Sequence, residues 1–289
     1  MSNATIYQMV TDRIIAEMEK GIIPWDKPWH GTSAGAISRS TGRPYSLINQ
    51  MLLGRPGEYA TFNQIKADGG SVKKGEKASV VVFWKQVKVT ETDAETGEAK
   101  EKLVPMLKYY QVFNLDQCTG IEPKHWKEAE PTGIDPIEAA ENVIDDYVAR
   151  SGIGFTNDRP SNKAYYSPSM DRVVVPMLDQ YDKPAEYYST TFHELTHSTG
   201  HSSRLNRFTS GNAAAFGSGE YSKEELVAEL GSAFLMAHVG INTSRTEKNS
   251  AAYLQGWLKA LKNDKTMIVS AASKAEKAAA LIIGTGATA

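Results

Sequence analysis

The chain of 289 residues contains a single cysteine, Cys118. That excludes an intramolecular disulfide, and any zinc knuckle, ribbon or cluster built from several thiolates. A metal here would have to be held by the six histidines and the carboxylates. No apolar run reaches the roughly 18 residues that a membrane-spanning helix needs. Nor does Met1 to Lys20 offer the uninterrupted apolar stretch of a secretory signal, because Asp12, Arg13, Glu17, Glu19 and Lys20 punctuate it. These absences lead to the expectation of a cytoplasmic protein with no membrane partner. Neither charge sign is in excess: 32 Lys and Arg stand against 34 Asp and Glu, a net charge of −2. Taken as a sum, that balance argues against a polyanionic partner. What is present is a globular composition, 41% hydrophobic and 23% charged, in a chain long enough for one large domain or two ordinary ones.

Apolar spacing predicts helices over 5–20, 45–54, 61–68, 136–150, 184–199, 222–239, 246–262 and 266–282. The β-rich runs VVVFWKQVKV (80–89) and LKYYQVFNL (107–115) flank a charged loop and predict a hairpin with a long tip. A second hairpin is expected over 164–176, turning at Pro168 to Asp171. Strands and helices grouped in this way make an α+β protein. The polar stretch with two prolines before Asp135 reads as a linker. The expected organisation is a domain over 1–122, a linker over 123–135 and a second domain over 136–289.

The sharpest local signal is TTFHELTHSTGH, residues 190–201. His193 and His197 are four apart, so on a helix their rings leave one face about a turn from each other. Two imidazoles so placed suit a tetrahedral zinc ion. Glu194, beside the first of them, is positioned to take a proton from an attacking water and return it to a leaving amine. The metzincin continuation fails, because Ser203 stands where a third histidine would be required. The gluzincin alternative draws a glutamate from a downstream helix, and YSKEELVAELGSAFLMAHVG (221–240) offers Glu224, Glu225 and Glu229. Glu225 is expected as the third ligand. Glu229, one turn on, is expected to accept a hydrogen bond from a ligand histidine's other ring nitrogen, with their order left open. Tyr165, Tyr166, Tyr221 and Arg204 are all candidates to stabilise a tetrahedral intermediate.

Counted by region, the charge balance dissolves. Residues 39–88 hold nine Lys/Arg against three Asp/Glu, whereas 91–135 hold five against ten. In the basic region cations alternate with aromatics, the pattern with which proteins track phosphates and stack bases of single-stranded nucleic acid. GGSVKKGEK (69–77) is a glycine-flanked loop suited to phosphate. The residues expected to contact DNA are Trp25, Trp29, Arg43, Tyr45, Asn49, Lys73, Lys74, Lys77 and Lys85. Trp84, within VVVFW, is expected in the core.

The ordered set VTDRIIAEMEKGIIPWDKPW, GRPYSLINQMLL, TFNQIKADGGSVKKGEKASVVVFWK, YQVFNLDQCTGI, FHELTHSTGHSSRLNR and YSKEELVAELGSAFL closely resembles the ArdC-type antirestriction proteins of mobile plasmids. The resemblance implies an N-terminal mixed α/β domain that binds single-stranded DNA and a C-terminal zincin-like metallopeptidase domain. It implies protection of incoming plasmid DNA from host restriction during conjugation. It also places His193, His197 and Glu225 on the metal ligands and Glu194 on the catalytic glutamate. The metal expected is Zn²⁺ or another divalent ion, and the expected peptidase substrate is a DNA-associated or restriction protein. The alternative is a non-catalytic single-strand binder whose metal site is structural. A Mg²⁺ nuclease is disfavoured, since two histidines and a glutamate form a zinc-hydrolase set.

Overall fold

The first helix, α1 (Asn3–Met18), is capped by Ser2, whose hydroxyl accepts the Thr5 N–H at 3.3 Å. Its apolar positions at helical spacing, Ile6, Val10, Ile14 and Met18, are fully buried. The computed structural model describes residues 2–25, 35–92, 99–127, 135–208, 219–241 and 251–285. After α1 come β1 (Ala36–Ser38), α2 (Leu47–Leu53), β2 (Gly57–Ala60), α3 (Phe62–Ala67), β3 (Ser71–Val72), β4 (Ser79–Thr92), β5 (Ala99–Asn114) and β6 (Cys118–Thr119). Four of these strands make a sheet in the order β1-β2-β5-β4, with β1 parallel to β2 across the α2 connection and the other pairs antiparallel.

The β4–β5 hairpin is longer than its apolar runs suggested. Pairing continues from Ser79↔Val112 to Thr92↔Ala99, so both ends of the stretch expected as a charged loop are strand. β-branched Val87, Val89, Thr90 and Thr92 favour extended backbone. β4 is an edge strand, and α2 plugs part of that edge: Asn49 donates to the Val82 carbonyl and accepts the Val82 N–H, both at 2.7 Å.

The second half begins with α4 (Pro136–Ser151) and a three-stranded sheet of β7 (Gly154–Thr156), β8 (Tyr165–Ser167) and β9 (Arg172–Val174), ordered β7-β9-β8. The β8–β9 hairpin turns where expected, with Asp171 at φ 44°. Then follow α5 (Pro184–Ser198), α6 (Gly219–Val239), α7 (Ala251–Asn263) and α8 (Met267–Ile283).

The main core crosses the expected domain division. α1, α2 and the hairpin residues Val82 and Leu107 pack with Leu226, Val227 and Leu230 of α6, Leu258 and Leu261 of α7, and Ile268 and Ala272 of α8. A second core joins α4, β9, α5 and the far ends of α6 and α8. The start of the stretch read as a linker is anchored. Buried Glu58 accepts the N–H groups of Lys124, His125 and Trp126 at 2.9, 2.7 and 3.0 Å, and its other oxygen accepts from Arg39 at 2.6 Å. Burial pushes the Glu58 carboxyl up, but these four donors outweigh it and hold it below the usual carboxylate range.

Candidate metal centre and nucleic-acid face

α5 starts on Pro184, with Glu186 in its first turn, and seats Tyr188, Phe192 and Leu195 in the second core. That leaves His193 and His197 on the opposite stripe, facing α6. The two helices come close because Gly231 lacks a side chain: a Cβ there would stand 2.6 Å from Thr196 Cγ2 and 2.7 Å from its Oγ1. At that separation the first turns of α6 bring their glutamates against the two rings.

His193 Nε2 and His197 Nε2 face each other at 3.2 Å. Glu225 spans them, with Oε1 3.4 Å from His197 Nε2 and Oε2 3.5 Å from His193 Nε2. Donor atoms around a tetrahedral zinc ion at about 2.05 Å stand roughly 3.3 Å apart, the separation of the two imidazole nitrogens, and Glu225 turns one oxygen toward each of them. Among the described residues these three form the group able to hold a metal. The rings are 12% and 13% exposed and Glu225 26%, so the cluster opens toward solvent on the Glu225 side.

Each ring is flanked at its other nitrogen by a carboxylate. Glu224 Oε1 lies 3.3 Å from His197 Nδ1. Glu229 Oε1 lies 3.6 Å from His193 Nδ1, which is buried and has no hydrogen-bond partner at that separation. Arg207 then grips Glu224 with Nη2 to Oε1 at 2.6 Å and Nε to Oε2 at 3.0 Å, while also donating to Thr199 Oγ1 and the Thr196 carbonyl. Glu194 is buried beside them. The surrounding carboxylates favour the charged form of the His197 ring. Burial pushes the His197 imidazolium down, but hydrogen bonds to Glu224 and Glu225 and the charges of Glu194 and Glu224 lift it to about 10. Burial likewise pushes Glu225 up, and its contacts with both rings override that and hold it well below the carboxylate range.

Glu224 is one of the three glutamates the sequence offers from this helix but carries no assigned role there, and Arg207 is not named. The only signal available was the position of Glu224, one residue before the expected ligand. His201 turns away to Ser203 Oγ at 2.8 Å. Of the candidates for stabilising an intermediate, Tyr166 donates to Asp171 Oδ1 at 2.8 Å and Arg204 makes a bidentate pair with the same carboxylate, so both are engaged. Tyr165 is exposed on edge strand β8, and the Tyr221 side chain lies outside the described ones. Tyr181 was overlooked. Its phenol is pushed up first by burial, and it lies close enough to Glu194 to feel that charge.

In the N-terminal half the structure divides the residues expected to contact DNA. Arg43, Lys74, Lys77 and Lys85 are exposed, and Lys73 donates to the Asp116 carbonyl at 2.7 Å. Tyr45 is half-buried, edge-on to Tyr59. Two expectations are corrected. Trp25 is in the main core, edge-on to Trp257 at 6.5 Å, because the chain after α1 folds back against α7. Asn49 is buried with its amide spent on the β4 backbone. Trp29 lies outside the described residues. Trp84 is the reverse case: expected in the core, it is 49% exposed.

Residues 4–113 match the model of the N-terminal domain of anti-restriction factor ArdC, and 142–274 match that of a zincin-like metallopeptidase. The antirestriction ArdC protein of plasmid R388, solved metal-free, is 38% identical and superposes with a TM-score of 0.72 over 96% of this chain and 97% of that one. The chain belongs to the ArdC antirestriction family. The Mn(II)-bound structure of the same R388 ArdC protein gives a TM-score of 0.73 at 36% identity, covering 98% of each chain. The ArdC-like sequence also recurs in a protein of Sinorhizobium fredii (strain NBRC 101917 / NGR234), the uncharacterized y4eC, 32% identical over 95% of this chain and 90% of that protein. A DNA primase TraC of Escherichia coli is 34% identical over 94% of this chain. The chain spans only 26% of that primase's length. The α+β architecture expected of an ArdC protein, zincin-like in its second half, is thus the one observed. Among the described residues no helix is long and apolar enough to cross a membrane.

Proposed function

We propose that this ArdC-family protein is a zinc-dependent peptidase tethered to single-stranded DNA, which protects incoming plasmid DNA from host restriction during conjugation by acting on a DNA-associated or restriction protein. The observation that carries the peptidase half is the convergence of His193 Nε2, His197 Nε2 and the Glu225 carboxylate at 3.2 to 3.5 Å. The Mn(II) bound by the R388 relative supports a divalent ion at such a site, and two imidazoles with one carboxylate favour zinc. Lewis-acid activation of water and of the scissile carbonyl is what the ion supplies when held there. This chain's own residues do the rest. Glu224, held by Arg207, fixes the ring of His197 through Nδ1, and Glu229 faces Nδ1 of His193. The Glu194 carboxylate takes one proton from the attacking water and delivers it to the amine nitrogen as the C–N bond breaks.

The DNA half is supported by the exposed cations Arg43, Lys74, Lys77 and Lys85 and by the exposed aromatics Phe83, Trp84 and Tyr110. Binding through DNA would raise the local concentration of a protein target on the same strand.

The deciding test compares wild type with Glu194→Gln for metal content, proteolysis and protection from restriction. Zinc is expected to be retained and both activities lost. Protection that survives the substitution would leave a single-strand binder with a structural metal as the mechanism. Titration of single- and double-stranded oligonucleotides across a salt series tests the tether. A preference for single strands that weakens as salt rises is expected, and a duplex preference would remove that half of the proposal.

A further inference from the structure

Along the free edge of β4, between α2 and α8, the structure has a cleft of about 610 Å³. Phe83, Trp84 and Tyr110 contribute to its lining and are 40%, 49% and 46% exposed. Phe83 and Tyr110 are already stacked nearly parallel, 13° apart with centroids at 4.6 Å. Phe83 and Tyr110, left in solvent on one face of the sheet, present an open π-face, while Trp84 leaves the opposite face of β4 and packs against Tyr7 with ring centroids at 6.1 Å. Exposed Arg43 stands at the cleft, while Ser273 and Glu276 line it from α8 in the C-terminal half. Glu276 accepts the N–H of Leu47 at the start of α2, and a carboxylate has acceptor capacity beyond that one bond.

These charges sort the parts of a nucleotide. A phosphate is drawn to Arg43 and repelled by Glu276, so the group that enters toward α8 is a base. Cytosine, adenine and guanine each carry an exocyclic amine that donates to a carboxylate. Thymine offers a single N–H flanked by two carbonyl oxygens, which a carboxylate repels.

Building on the single-strand reading above, we propose that this cleft receives an unpaired nucleobase stacked on the Phe83–Tyr110 pair, and that Glu276 of α8 selects bases bearing an exocyclic amine over thymine. The site is then composite. The helix that completes the DNA cleft also packs against α6, which carries Glu225, so the DNA face and the candidate metal centre share a rigid element.

The test is the binding of fluorescent dC and dT oligonucleotides of equal length to the full chain, read by anisotropy. Length and phosphate number are matched, so the ratio of affinities isolates the base. Wild type is expected to bind dC at least about fivefold more tightly than dT. Glu276→Gln should bring the ratio below about twofold, weakening dC as the charged acceptor is lost and tightening dT as the repulsion of its carbonyls is relieved. Phe83→Ala and Tyr110→Ala should each weaken both oligonucleotides by about tenfold. Because Glu276 also caps α2, each variant is checked by thermal melting, and the wild-type ratio needs no variant at all. Equal affinity for dC and dT in wild type, or an unchanged ratio in folded Glu276→Gln, overturns the pocket while single-strand binding itself stands. Failure of both oligonucleotides to bind overturns the single-strand reading and the pocket with it.

Discussion

Replacing Glu224 by alanine separates the orientation of a metal ligand from the stability of the fold. The carboxylate is 18% exposed and its Arg207 partner 6%, and two charge-assisted hydrogen bonds at 2.6 and 3.0 Å join them. Breaking a buried pair from one side costs about 3–5 kcal/mol when the surviving charge is left alone. Arg207 is not left alone here, since it also donates to Thr199 Oγ1 at 2.6 Å and to the Thr196 carbonyl at 2.9 Å. The cost to folding should therefore fall below that range, at about 2 kcal/mol. Loss of the partner at His197 Nδ1 frees the ring and its tautomer, which weakens metal binding by about 10- to 100-fold. The assay is zinc affinity by competition with a chromophoric chelator, run beside thermal unfolding of the metal-free protein. Glu224→Gln, which keeps an acceptor without charge, should lie between wild type and alanine in both readouts. If Glu224→Ala melts earlier yet binds zinc within twofold of wild type, Glu224 is only a structural partner of Arg207 and the orienting role is wrong.

Gly231→Val forces a side chain into Thr196, since even a Cβ would lie 2.6 Å from it. It should destabilise by about 2–3 kcal/mol and abolish tight zinc binding, whereas equal affinity would show that the helix spacing does not set the site. Chelation of bound zinc should lower the melting temperature by about 5 °C when the metal had been present at a hundred times its Kd. A melt indifferent to chelator would mean no metal is linked to folding. Glu58 has a depressed folded pKa, so its stabilisation is fully present above the ordinary glutamate range near about 4.3 and is lost as pH falls through the depressed value. Glu58→Gln should therefore cost about 3 kcal/mol at neutral pH and flatten the acid limb of a stability–pH profile, and an unchanged acid limb would contradict the ion-pair argument.

The pair His193 and His197 was legible because it depends on the helical period alone: residues four apart on one helix share a face whatever surrounds them. The boundaries of α4, α5 and α8 were close for the same reason, with Pro184 starting α5 and Gly284 ending α8. Single-residue exposure was not legible in the same way. Trp25 and Trp84 both sit among basic residues, yet one is core and the other surface, because the loop after α1 is covered by α7 while the β4 edge is open beyond Val82.

From the sequence by itself came the donor types, the exclusion of thiolate metal sites, the two imidazoles on one helical face and the basic, aromatic character of 39–88. All of these are local in chain or in composition. Only the tertiary structure decided which of three neighbouring glutamates meets which ring, because consecutive residues on α6 point some 100° apart and the turn of that helix is set by Gly231 resting on Thr196. Glu225 thereby faces both Nε2 atoms, Glu224 takes His197 Nδ1, and Glu229 faces His193 Nδ1. The fold likewise decided that α1, at one end of the chain, packs with α7 and α8 at the other, since burying its apolar stripe requires a partner surface that no local pattern names.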